Sequence, residues 1–161
     1  MSNTLLYAFE PWGKNASNIS EDVLTKLNLS VDKVNVQVRF EKHIFQEIIN
    51  KGHKQIIGLG QYPSGDLIRI EKIAHNAYGS KAMGYKVIDN GPTTLTTNLE
   101  LIPTPQSHIT YDAGKFVCNY SMYVILREKQ IHQEFAFLHI PKNMYLDAAV
   151  AAVREILKQV V

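Results

Sequence analysis

The stretch HITYDAGKFVCNYSMYVIL, His108 to Leu126, decides how this chain is read. Its first residues, His108–Tyr111, have the character of a strand. Gly114 then turns the chain, and after Cys118 the apolar residues Met122, Ile125 and Leu126 recur at helical spacing. A strand that passes through a glycine turn into a helix points to an architecture in which the two alternate.

The alternation extends outward in both directions. Leu5–Phe9 is a short apolar run that ends in the turn EPWG and reads as a buried strand. Asn18-Ile-Ser-Glu resembles a capping box, and Val23, Leu24 and Leu27 follow on one helical face. Val34–Phe40, VNVQVRF, alternates like a strand. Over residues 41–51, Ile44, Phe45, Ile48 and Ile49 share a helical face that Gly52 closes. Ile56–Leu59 reads as a buried strand. The Gly58-x-Gly60 pair lacks the later glycine and the helix of a dinucleotide fingerprint, so it reads as a strand-end turn. Ile70–Tyr78 reads as a further strand, whereas residues 79–107 are rich in Gly, Thr and Pro and follow no period. Phe135–Ile140, FAFLHI, is a strand stopped by Pro141. Leu146, Ala149, Val150, Val153, Ile156, Leu157 and Val160 form an amphipathic C-terminal helix. The expected fold is α/β: a three-layer α/β/α sandwich on a mixed, largely parallel twisted sheet, in one domain over residues 1–161.

Composition narrows the function classes. The 161 residues carry 17 basic and 15 acidic side chains, a formal charge of +2, which offers no electrostatic footprint for nucleic acid or an anionic membrane. No apolar run reaches the roughly 18 residues of a membrane span. The start, Met1-Ser2-Asn3-Thr4, lacks the basic region of a secretion signal. One cysteine permits no internal disulfide, so a reducing cytoplasm is the expected compartment. The Asn-x-Ser triplets at Asn15, Asn18 and Asn28 then read as chance matches.

Ligand sites in such folds lie beyond the carboxyl ends of strands. Two reactive side chains fall there. Cys118 stands in the first turn of a predicted helix, whose N-terminus lowers a thiol pKa and offers N–H groups to an oxyanion. His139 closes the strand FAFLHIP. Position alone leaves two readings open: a nucleophile and base, or a small buried hydrophobe and a structural histidine. The histidines His43, His53, His75, His108 and His132 show no metal-ligand spacing, so no metal is expected.

Taken in order, FEPWG, GLGQ leading to IEKIAHN, AGKFVCN and FLHIP resemble the words of the pyroglutamyl-peptidase I family, the pyrrolidone-carboxylate peptidases. That family has a FEPFGG-like opening, an ERVAIN-like strand, a GTFVCN-like turn and an F-I-H-V/I-P strand. The resemblance implies a cysteine exopeptidase that removes N-terminal pyroglutamate without a cofactor. It implies a triad of Cys118, His139 and Glu71, with Phe9, Trp12, Gln61, Phe116 and Val117 around the lactam. It also leaves room for a homo-oligomer.

The chain departs from the family pattern around the pocket. Family members usually reach about two hundred residues or more. Here the loop after the ERVAIN-like strand is cut back around residues 79–91, and ELIPTPQS stands where the family has a helix. Lys81 takes the place of the arginine in a DARIPDN-like word, Trp12-Gly13-Lys14 replaces Phe-Gly-Gly, and QYPSG replaces a GGR-like loop. Arg and Lys differ in donor geometry, so these changes bear on substrate identity. Two alternatives follow: a related cysteine amidase acting on another small acyl group, or a non-catalytic relative that binds a lactam or a protein partner.

Overall fold

A computed structural model describes residues 2–80 and 84–161. Lys81, an expected pocket residue, lies outside the described residues. The elements run β1 (Thr4–Phe9), α1 (Ile19–Lys26), β2 (Asp32–Val36), α2 (Lys42–Asn50), β3 (Gln55–Tyr62), β4 (Ile68–Glu71), β5 (Ile73–His75), β6 (Thr94–Thr96), β7 (Ser107–Thr110), α3 (Val117–Glu128), β8 (Glu134–Pro141) and α4 (Leu146–Leu157). The main sheet has the order β2-β1-β3-β8-β4-β7, and a separate antiparallel pair joins β5 to β6. In the main sheet every pairing is parallel except β4 with β8.

The strands sort their side chains by parity, as buried strands must. Leu6 and Ala8 of β1, Ile57 and Leu59 of β3, and Leu138 and Ile140 of β8 point into one apolar layer with α1 and α4. Leu5, Tyr7 and Phe9 of β1, with Phe135 and Phe137 of β8, point into the other with α2 and α3. The result is the expected three-layer sandwich with a mixed, largely parallel sheet. No helix among the described residues is long and apolar enough to cross a membrane.

Two strand expectations are corrected, and the expected cap at Asn18 is present. Ile70–Tyr78 is two short strands. After Glu71 the chain leaves the main sheet at Lys72, and β5 pairs with β6 in the second sheet. Lys72 is held at this corner by its N–H to Thr110 C=O (2.8 Å), by its C=O from Thr97 N–H (2.9 Å), and by an ion pair to Glu100 (2.8 Å). VNVQVRF is strand only to Val36. Its later alternation instead places Phe40 on a ring cluster, 5.0 Å from Tyr78, 5.6 Å from Phe116 and 5.5 Å from Tyr120 between centroids. The capping residue Asn18 accepts from the N–H of Ser20 (3.0 Å) and also from its hydroxyl (2.7 Å).

The glycines read as a turn are strand residues inside β3. A Cβ on Gly58 would meet Phe137 Cδ2 at 2.4 Å and the Tyr7 hydroxyl at 2.5 Å. The missing side chain lets Tyr7 lie across the sheet and bond Ser121 Oγ at 2.9 Å, while Ser121 donates to Cys118 C=O at 2.7 Å. The aromatic core therefore pins the start of α3. Gly58→Ala should destabilise the protein by about 1–3 kcal/mol, the usual cost of overpacking, as a fall in the urea midpoint at unchanged m-value.

Candidate active site

The antiparallel β4–β8 pairing sets Arg69 opposite His139 and Glu71 opposite Phe137. Glu71 and His139 are thus diagonal neighbours on one sheet face. Glu71 Oε1 lies 2.7 Å from His139 Nδ1. The other oxygen, Oε2, accepts from Thr110 Oγ1 at 2.7 Å, and Thr110 is the register partner of Glu71 on β7. Glu71 is fully buried and His139 is 5% exposed. A carboxylate accepts, so Nδ1 carries the proton and Nε2 of the neutral ring is the free acceptor. Holding both carboxylate oxygens fixes the plane of the imidazole.

Cys118 is the second residue of α3 and is 7% exposed. Its Sγ lies 2.6 Å from the point that a Gly60 Cβ would occupy. Gly60 is the register partner of His139 in the parallel β3–β8 pair. Paired residues of neighbouring strands project from the same face about 4.8 Å apart. The sulfur therefore rests over the strand position next to that of His139, in space that only glycine leaves open. Sequence reasoning missed Gly60 and Thr110, since one looked like turn chemistry and the other like an ordinary strand threonine.

The thiol differs from expectation. Burial pushes the Cys118 pKa up, the negative charge of Glu71 raises it further, and the bond to its own backbone N–H only partly offsets them. Desolvation outweighs the helix terminus here. Burial thus works against a preformed thiolate in the ligand-free site.

A cavity of about 610 Å³ opens over these groups, lined by Cys118 and His139 together with Trp12, Gln61, Phe116, Tyr62, Arg69 and Lys142, among others. A side recess of about 20 Å³ shares Trp12, Gln61, Phe116 and Cys118 and adds Phe9 and Val117. Trp12 and Phe116 pack with ring centroids 6.0 Å apart, and Phe116 is 48% exposed. Phe9 and Val117 are buried behind them and reach the recess only. Gln61 Oε1 accepts from Ile19 N–H at 3.2 Å, at the start of α1, which leaves its amide nitrogen as the end a ligand can use. Asn119, the residue after Cys118, is fully buried. Its carboxamide accepts from His75 N–H (2.8 Å) and donates to His75 C=O and Ala77 C=O (2.9 Å each). Among the described residues no group of three or more His, Cys, Asp and Glu could hold a metal ion.

Comparison with known proteins gives a consistent answer. The family model described as pyroglutamyl peptidase matches residues 2–152. A pyrrolidone-carboxylate peptidase of Saccharolobus islandicus is 29% identical over 85% of this chain and 78% of its own length. One of Yersinia pestis is 27% identical over 88% and 79%. Among solved structures, the pyrrolidone carboxyl peptidase of Thermococcus litoralis superposes with a TM-score of 0.79 at 20% identity, covering 96% of this chain and 91% of that one. Pyroglutamyl peptidase I of Bacillus amyloliquefaciens gives 0.78 at 23% identity, covering 95% and 91%.

The raised thiol pKa has a direct readout. Below its pKa the thiolate fraction grows tenfold per pH unit, so iodoacetamide alkylation of Cys118 in the ligand-free protein should accelerate about tenfold per unit between roughly pH 7 and 9. A rate that is flat across that range would mean that the thiolate is already formed.

Proposed function

The protein belongs to the pyroglutamyl peptidase family, and from that premise we propose that it hydrolyses the amide bond after an N-terminal pyroglutamyl residue, with Cys118 as nucleophile, His139 as base and then acid, and Glu71 as orienter of the imidazole. The observation that carries this reading is the buried 2.7 Å bond from His139 Nδ1 to Glu71, with the Cys118 sulfur over the neighbouring Gly60.

Burial disfavours a resting thiolate, and in this reading proton removal accompanies the attack itself. His139 Nε2 takes the Cys118 proton as Sγ adds to the pyroglutamyl carbonyl carbon. The displaced electron pair moves onto the oxygen. N–H groups in the first turn of α3 would take up that charge: the N-cap Phe116 makes no capping side-chain bond, and the Cys118 N–H, bonded to its own sulfur at rest, is released as the sulfur attacks. The intermediate collapses, the C–N bond breaks, and His139 returns its proton to the departing amine. Water, deprotonated by His139, then adds to the thioester, the C–S bond breaks and Sγ regains a proton.

The lactam is flat and uncharged, and suits an aromatic wall better than a charge clamp. Trp12 and Phe116 supply that wall, Phe9 and Val117 back it, and the Gln61 amide nitrogen offers a donor to the lactam carbonyl. Lys81 belongs to the same proposed set on the strength of its position in the family word.

Reduced, folded protein should release arylamine from a pyroglutamyl-arylamide. Cys118→Ala and His139→Ala should abolish release, and Glu71→Gln should lower kcat by about 100-fold or more. Absence of turnover by the unmutated protein at high concentration would sink the reading.

A further inference from the structure

The two ends of the main cavity differ in chemistry. One end is aromatic, where Trp12 and Phe116 meet the side recess beside Cys118. The other carries two cations, Arg69 and Lys142. Arg69 stands directly opposite His139 across the β4–β8 pair. Its guanidinium carbon sits 3.6 Å from the centre of the Tyr62 ring, and it donates to the Tyr62 hydroxyl. Tyr62 is in register with Pro141, and its C=O accepts from Lys142 N–H at 2.7 Å, so Lys142 is held at the same end. Among the described residues no carboxylate lies within ion-pair distance of Arg69 or Lys142. One further carboxylate, Asp112, lines the cavity, and its Oδ1 accepts from Gly114 N–H at 2.8 Å. The Glu71 carboxylate is committed to His139 and Thr110.

The chemistry of acyl transfer orients a substrate between these ends. The acyl group becomes bonded to sulfur, so it lies at the Cys118 end. The leaving amine takes its proton from the histidine, so it departs at the His139 end, which is the cationic one. Arg69 is poised there on an aromatic face, with its planar fork already restrained, which lowers the cost of engaging an anion.

We propose that Arg69, supported by Lys142, selects substrates whose leaving amine bears a carboxylate close to the scissile bond, as in a pyroglutamyl dipeptide with a free C-terminus. The proposal rests on the orientation given by the pyroglutamyl-peptidase reading. A free α-carboxylate is two bonds from the leaving nitrogen, within the span of one cross-strand neighbour. A longer peptide or a C-terminal amide puts no charge at that position. Arg69 here is a specificity residue and takes no part in proton transfer.

Binding tests the proposal separately from turnover. In Cys118→Ala protein, calorimetry at low salt should give pyroglutamyl-alanine a Kd about tenfold below that of pyroglutamyl-alanine amide, the scale of one charge-assisted bond. Arg69→Gln in that background should bring the ratio close to one. Lys142→Gln, at an exposed position that tolerates substitution, should reduce it in part. In the unmutated enzyme the kcat/KM ratio of the same two substrates should follow the binding ratio and shrink with added salt. Equal affinities for acid and amide, tighter binding of the amide, no binding of either, or a preference that survives both substitutions would each overturn the proposal. A binding preference without any hydrolysis would overturn the peptidase reading alone and leave the anion selectivity standing.

Discussion

The antiparallel run of β4 beside β8 is the constraint on which the rest of the site depends. Its register sets Glu71 opposite Phe137, so that Glu71 sits diagonally from His139, two places along β8 on the same face. That diagonal carries the Glu71–His139 bond. The next strand, β7, then supplies Thr110 to the second carboxylate oxygen. Both hydrogen-bonded atoms of a fully buried carboxylate are thereby satisfied, which keeps a charge in the interior without leaving it unpaired. Arg69 is brought opposite His139 by the same register.

A second constraint is volume. Along β3 the face towards α3 carries Gly58 and Gly60, while the neighbouring strand β8 carries Phe137 and His139 on that face. The strand without side chains makes room for what leans over it: Tyr7 and Phe137 at Gly58, the Cys118 sulfur at Gly60. Close packing then fixes the depth at which the thiol sits, and depth sets its protonation. The same burial that positions Sγ also pushes the thiol pKa up.

Much of this was legible in the chain itself. Strand and helix periods over Leu5–Phe9, Ile56–Leu59, Phe135–Ile140 and the C-terminal helix gave the sandwich, because buried strands and amphipathic helices are set by local pattern. The chain order of Glu71, Cys118 and His139 was legible only through the resemblance to family words, since nothing in their spacing puts three distant residues together. What stayed hidden depends on register. Thr110, Gly60 and Arg69 matter because of the residue across the strand, and a one-residue slip would assign each to the opposite face. The break at Lys72 was hidden for a related reason: Ile70–Tyr78 has strand character throughout, and only pairing shows that its two parts serve different sheets. The expected low thiol pKa failed because helix position can be read in one dimension and burial cannot.

Asn119 has a consequence for how this chain tolerates change in length. Its three bonds strap the backbone of His75 and Ala77 to the first turn of α3, one residue from Cys118. The segment that follows Ala77 leads into residues 79–91, where the resemblance to the family words implies a shortened loop. Length changes beyond the strap pull on a backbone that is already anchored, so they are mechanically isolated from the sulfur. A lineage could prune or extend that segment, and reshape the outer pocket, while the helix that carries Cys118 stays where it is.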